Sequence, residues 1–92
     1  MNDLNKYLVE FVGTLFFVYI ILAIKTPLAI GAALTVVILL GGKISGGNFN
    51  PAVTLAMTMS GKVKNKHLLP YILAQVAGAI AALELFKRKV FR

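Results

Sequence analysis

The 92-residue sequence contains no cysteine, no tryptophan and only three acidic residues, Asp3, Glu10 and Glu84. Without cysteine, the chain cannot be a small domain held together by disulfides. The single histidine and the scattered carboxylates form no metal-ligand cluster, no pair of catalytic carboxylates and no Ser/His/Asp set. We therefore expect no metal, no cofactor and no enzymatic activity.

Charge is scarce as well. Charged residues make up 14% of the sequence and hydrophobic residues 59%, and the mean hydropathy is +0.84. A soluble domain of this size leaves much of its surface in water and needs polar residues to cover it. The ten lysines and arginines, which give a net charge of +7, flank apolar runs, where anionic lipid headgroups explain them better than nucleic acid. The composition predicts an integral membrane protein with a single domain, in contact with the lipid bilayer and without a nucleic-acid partner.

Three apolar runs are candidates for crossing the membrane. A hydrocarbon core of about 30 Å requires roughly 20 helical residues. We predict spans at about residues 7–24, 26–42 and 68–86, where the middle run needs flanking residues to reach the full length. The first run is too long for the apolar part of a signal peptide, so we expect it to be retained.

A fourth apolar run, Ala52–Met59, is too short to cross. It is preceded by Asn50, a good N-cap residue, and by Pro51, which suits the first helical position. We therefore predict a re-entrant loop and half-helix over residues 43–60. Non-helical backbone at membrane depth is tolerated only where protein encloses it or where it lines a wet cavity. From the residues alone, a surface loop with a short amphipathic helix remains the alternative.

Small residues repeat every four positions in the third apolar run, which is typical of helices that pack closely in lipid. Gly13 in the first run, and Gly31 with Thr35 in the second, are expected to face this seam. The seam residues are Ala74, Gly78 and Ala82.

Three motifs in order resemble one half of the aquaporin, or major intrinsic protein, family. The first is EFVGT at Glu10–Thr14, the second is the segment Ile44–Ala56 with its NPA triplet, and the third is YILAQVAG at Tyr71–Gly78. The resemblance covers nearly the whole chain. It implies an all-α membrane protein of three transmembrane helices and one re-entrant half-helix, equivalent to one aquaporin repeat.

The resemblance also implies roles for particular residues. Glu10 and Gln75 are expected to hold the re-entrant loop in shape, and Asn50 to face the permeant. Val53 occupies the position where the second half of family members has an arginine, so strict water selectivity is not implied, and glycerol, urea, ammonia or dissolved gases become candidates. The pore residues implied in this way are Ile30, Gly46, Gly47, Asn48, Asn50, Pro51, Ala52 and Val53.

Family members normally carry two inverted halves in one chain, whereas this sequence resembles the first half only. Two antiparallel copies would supply the missing half, which requires insertion in both orientations. A protein with a single orientation should show a bias of positive charge, but here five lysines or arginines fall on each side. One side has Lys6, Lys43, Lys62, Lys64 and Lys66, and the other has Lys25, Lys87, Arg88, Lys89 and Arg92.

This balance predicts an antiparallel homodimer, and the resemblance adds a possible assembly of four pores. The rival interpretation is a fragment of a longer channel, which the charged ending at residues 87–92 argues against. A proton-coupled exporter that uses Glu10, as in small dual-topology exporters, and a holin-like or structural membrane protein remain open, although neither explains the NPA triplet. We expect His67, among lysines, to be a solvated interface residue rather than a pH gate.

Overall fold

The computed structural model describes residues 2–89 and forms four helices there, with no strand in that range. Three of these helices are long and apolar enough to cross a membrane. The helices are α1 (Asp3–Ala23), α2 (Pro27–Ser45), α3 (Pro51–Met59) and α4 (Asn65–Lys87), and the three potential spans are α1, α2 and α4. The predicted all-α class with three spans and one short helix is confirmed. Arg92, part of the predicted charge balance, lies outside the described residues.

Local signals in the sequence explain where the helices begin. A side-chain oxygen caps the backbone N–H groups of each of the first three, and a proline occupies the first position of α2 and of α3, where a missing N–H costs nothing. Lys64 precedes α4 and makes no such cap. The three capping residues are Asn2, Thr26 and Asn50.

The second helix ends later than its apolar run suggests. It continues to Ser45 instead of 42, so Gly41 and Gly42 are helical and the irregular segment shrinks to residues 46–50. The helix stops where Gly46 takes a left-handed conformation with φ +93°, a common way for a helix to end. Glycine at position 41 allows the close approach of α1, because a Cβ there would lie 2.6 Å from the side chain of Val9.

Helix α1 lies at the centre, where it packs against α2 and α4, and α3 packs against α4. Asp3 pairs with Lys66 at 3.3 Å, and the hydroxyl of Tyr71 donates to the carbonyl of Ser45 at 2.6 Å. The starts of α1 and α4 and the end of α2 therefore share one end of the molecule, which we call the lysine end after Lys6, Lys62 and Lys64. Residues 46–64 enter and leave at this end. Nine helical residues measure about 13 Å, so α3 reaches roughly halfway across a bilayer.

The small-residue seam of α4 packs directly on the backbone of α1. A Cβ at Gly78 would lie 2.5 Å from the carbonyl oxygen of Phe11, and Ala82 is fully buried, whereas Ala74 is half-buried. Two other glycines do not face this seam, contrary to expectation. Gly13 lies under the ring of Phe49, and a Cβ at Gly31 would meet nothing within 4 Å.

Gly78→Ala is expected to lower the thermal unfolding midpoint of the protein in detergent, because the added methyl group meets a backbone atom that cannot rotate away. Overpacking of this kind costs about 1–3 kcal/mol. The matched control is Gly31→Ala, which adds the same methyl group in open space and should stabilise α2 by about 0.5–1 kcal/mol. Equal midpoints for the two variants would contradict the close approach of α1 and α4.

Candidate functional site

Three of the five residues between α2 and α3 have left-handed backbone. Gly46 and Gly47, with φ of +93° and +68°, adopt it without steric cost. Phe49, with φ +54°, adopts it at a cost of about 1–2 kcal/mol. The loop must therefore be held in this shape by contacts elsewhere.

The ring of Phe49 is one of these contacts. The residue is only 3% exposed and packs between α1 and α2. A Cβ at Gly13 would overlap the ring, and one at Gly41 would lie 3.3 Å from its tip. The two glycines thus form the socket that receives Phe49, which makes it a packing residue and not a lining residue.

Glu10 is the second contact. Its side chain is fully buried, and each carboxylate oxygen accepts two hydrogen bonds. Oε2 accepts from the Ser45 hydroxyl at 2.6 Å and the Asn48 backbone N–H at 3.1 Å. Oε1 accepts from the Phe49 backbone N–H at 2.7 Å and the Gln75 amide at 2.8 Å. One carboxylate on α1 therefore joins the end of α2, the loop and α4.

Gln75 and Thr54 extend this network to the half-helix. The Gln75 amide also donates to the Thr54 hydroxyl at 2.7 Å, and the Asn48 side-chain amide donates to the same hydroxyl at 3.2 Å. Thr54 in turn donates to the backbone carbonyl of Asn50 at 3.0 Å. Because Thr54 accepts two bonds and donates one, it fixes the start of α3 against α4.

Three residues of this network were not identified from the sequence, namely Ser45, Thr54 and Tyr71. Ser45 donates to Glu10 and accepts from the Gly47 N–H at 3.2 Å, and Tyr71 anchors the last carbonyl of α2. Thr54 carries a weak signal, since it is a polar residue one turn into an apolar half-helix. Ser45 and Tyr71 carry none, because their partners lie far away in the sequence.

Asn50 stands at the tip of the half-helix and is exposed. Its side-chain oxygen accepts from the backbone N–H groups of Ala52 at 2.8 Å and Val53 at 3.4 Å. The side-chain NH₂ makes no hydrogen bond to any residue in the range 2–89, and an amide nitrogen can only donate. Pro51, Ala52 and Val53 are exposed beside it. The tip therefore presents donors, at the positive end of a helix.

Backbone acceptors lead up to this tip. Among residues 2–89, the carbonyl oxygens of Gly46, Gly47 and Asn48 accept no hydrogen bond from the protein. Ile30 is not brought to this place. It lies in the first turn of α2, fifteen residues before Ser45, which corresponds to about 22 Å of helix.

The expectation that His67 is solvated is wrong. The residue is 4% exposed, with Nδ1 3.0 Å from the Tyr7 hydroxyl and its ring in contact with Tyr7 and Tyr71. The reason is that α4 begins at Asn65 rather than at 68, so His67 lies in its first turn and faces α1.

The geometry of Glu10 does not favour the exporter alternative. Four donors occupy its carboxylate and its side chain has no exposed surface. A carboxylate that exchanges protons with a transported cation needs access to a cavity. Glu10 instead satisfies loop N–H groups that would otherwise lie unbonded within the membrane.

Comparisons with known proteins agree with one another. The profile of the family described as Major intrinsic protein matches residues 23–91. The chain is 43% identical over 94 aligned positions to Aquaporin Z of Brucella melitensis and 42% identical over 90 to Glycerol uptake facilitator protein-like 6 of Lactiplantibacillus plantarum, with 86% of the chain covered in each case. It is 38% identical over 91 positions to Aquaporin-8 of Mus musculus, with 87% covered. No solved structure matches the chain significantly.

The chain is much shorter than these relatives. The matched region spans 41% of the two bacterial proteins and 35% of the mouse protein. It thus corresponds to less than half of each of them.

Proposed function

The chain belongs to the major intrinsic protein family and is an integral, multi-pass membrane protein, and from that premise we propose that it forms half of a passive channel for water or small neutral solutes. An inverted second copy of the chain completes the pore. The permeant passes between two Asn50 tips that meet near the middle of the bilayer.

One observation carries this proposal. The donor tip at Asn50 and the unbonded carbonyls of residues 46–48 lie in a chain whose other exposed surface is largely apolar. Exposed to lipid, each unsatisfied backbone group would cost several kcal/mol. A second copy in the opposite orientation brings the same polar row from the other side, so the two rows enclose a wet passage instead of facing acyl chains.

Apolar surfaces support the same assembly. A groove of about 480 Å³ runs between α1 and α2, and α3 exposes Val53, Leu55 and Met59. We infer that the inverted copy covers part of these apolar surfaces, which removes them from lipid. The exposed side chains along the groove are Leu8, Val12, Phe16, Val36 and Leu40.

The tips explain how charge is excluded. A water molecule between two Asn50 amides accepts hydrogen bonds from both, so its own hydrogens point away along the passage. This orientation interrupts a continuous chain of proton transfer, and the two positive helix ends repel cations. The carbonyls of Gly46, Gly47 and Asn48 then offer acceptors in a line to the next molecule.

Two residues that the resemblance assigns to the pore provide no charge, namely Val53 beside the Asn50 tip and Ile30 in the first turn of α2. The names of the relatives include both aquaporins and a glycerol uptake facilitator. We infer a passage that tolerates small uncharged molecules such as glycerol or urea besides water.

Cysteine labelling tests the inverted pair, since the parent chain has no cysteine. Lys64→Cys places a thiol at the lysine end, and Lys25→Cys places one at the opposite end of the molecule. In oriented membranes, a membrane-impermeant maleimide is expected to label part of the population at each position from either side. Labelling of each position from one side only would contradict the inverted pair.

Solute flux tests the channel itself. Vesicles containing the full chain are expected to re-swell faster than empty vesicles after a hyperosmotic step with glycerol or urea. The control is sucrose, which is too large to pass. Re-swelling no faster than that of empty vesicles with either solute, despite labelling from both sides, would leave the assembly standing but contradict conduction.

A further inference from the structure

A cavity of about 250 Å³ with both polar and apolar walls lies at the lysine end, between the start of α1, the end of α2 and the turn that joins α3 to α4. Lys6, Lys62, Lys64 and His67 contribute to its wall, and none of the acidic residues that the structure describes lines it. The volume is several times the roughly 30 Å³ that one water molecule occupies in the liquid. The cavity therefore has room for a small anion with water around it.

Positive charge exceeds negative charge around this cavity. Two carboxylates lie behind its wall. Asp3 pairs with Lys66 at 3.3 Å and with Lys6 at 3.8 Å and lies 3.9 Å from Nε2 of His67. Glu10 is bonded to the wall residues Ser45 and Asn48. Within residues 2–89, neither Lys62 nor Lys64 lies within 4 Å of a carboxylate. The ammonium groups of Lys62 and Lys64 thus stand at the cavity without a carboxylate of the described residues within 4 Å.

The cavity also lies where a lipid headgroup would be. All three spans have an end here, which places it at a membrane surface. Leu4 on α1 and Leu69 on α4 are 60% and 64% exposed, so apolar surface for acyl chains begins close by. Lysine side chains at such positions keep their stems in the apolar layer and their charge at the interface.

We propose that this cavity binds the phosphate of an anionic phospholipid headgroup, with Lys62 and Lys64 as its principal partners and Lys6 as a third. Basic pockets between transmembrane helices bind such headgroups by this chemistry, and an ammonium group suits phosphate as a compact point charge. Inorganic phosphate has the same recognition chemistry and is the alternative source of the ligand. The proposal does not depend on conduction, because lipid binding is measured without flux.

The test titrates dioleoylphosphatidylglycerol or dioleoylphosphatidylcholine into the full chain in neutral detergent and counts retained lipid by native mass spectrometry. Lys62→Gln/Lys64→Gln is expected to lower the association constant for phosphatidylglycerol by about tenfold to thirtyfold at low salt. The matched control, Lys25→Gln/Lys89→Gln, removes the same charge at the opposite end and should stay within about twofold. At an ionic strength near 1 M, the association constant of the parent for phosphatidylglycerol should fall to that of Lys62→Gln/Lys64→Gln.

Two outcomes would overturn the proposal. The first is equal retention of the two lipids by the parent. The second is an equal loss in both double variants, which would mean a diffuse effect of net charge. A third arm adds inorganic phosphate at millimolar concentration. If phosphate displaces phosphatidylglycerol from the parent but not from Lys62→Gln/Lys64→Gln, soluble phosphate is the ligand and the lipid source is overturned. If phosphate displaces no phosphatidylglycerol from the parent, the result supports the headgroup.

Discussion

Glu10→Gln is expected to lower the free energy of unfolding by at least about 3 kcal/mol and to abolish solute flux. Glutamine keeps one acceptor oxygen and replaces the other by an NH₂ group, which then faces the donors of Ser45 and Asn48. Hydrogen bonds to a charged acceptor contribute about 1.5–3 kcal/mol each, and two of them are lost. Neutral bonds between membrane helices contribute less, about 0.6 kcal/mol on average, so we take the lower end of the range.

The lost hydrogen bonds destabilise the loop of residues 46–50 and not the three spans. Among residues 2–89, the backbone N–H of Asn48 has no partner other than Glu10, and Phe49 needs its bond to hold an unfavourable left-handed conformation. Without both contacts, the loop relaxes and Asn50 loses its position. The measurement is thermal unfolding in detergent together with flux in vesicles.

Glu84→Gln provides the control because it makes the same chemical change at a half-exposed carboxylate that pairs with Lys87 and Arg88. Surface pairs of this kind contribute at most about 1 kcal/mol, so this variant should unfold close to the parent. If the two variants were equally stable, the four bonds to Glu10 would not be what holds the loop.

Much of the fold follows from local signals in the sequence. Asn50 and Pro51 mark the start of the half-helix, and the apolar runs mark the three spans. The end of α2 does not follow in this way. Gly41 and Gly42 suggest a loop by propensity, yet both are helical. At Gly41 the missing Cβ leaves room for Val9 and Phe49, a tertiary contact that propensity does not show, whereas a Cβ at Gly42 would meet only Ile38, at 3.8 Å.

The site, too, contains some residues that the sequence predicts and others that it does not. Glu10 and Gln75 are expected at the loop because of the resemblance to the family, and the cost of a carboxylate within an apolar span indicates only that Glu10 has a partner or a function. Ser45 and Tyr71 act through bonds to residues that only the tertiary fold brings near, and polar residues of this kind give no periodic signal. The lysines beside His67 in the sequence predict that it is solvated, whereas in the structure it packs against α1.

Asn50→Asp is expected to make the proposed pore leak protons and cations while neutral solutes still pass. Aspartate caps a helix as well as asparagine does, so α3 keeps its start. The exposed NH₂ group, however, is replaced by a carboxylate oxygen that attracts cations instead of repelling them. At an effective dielectric constant of 20, a unit charge about 4 Å away contributes about 4 kcal/mol, which corresponds to roughly a thousandfold change in a rate.

The measurement is decay of a pH gradient in vesicles, read with an entrapped dye, beside re-swelling in glycerol. Asn65→Asp is the matched control, since it makes the same change at an exposed position in the first turn of α4, outside the proposed passage. Vesicles with Asn50→Asp should lose the pH gradient, and vesicles with Asn65→Asp should keep it. If both variants hold the gradient while glycerol still passes, the amide of Asn50 does not face the permeant, because a charge within about 4 Å of the passage would necessarily alter the barrier to ions.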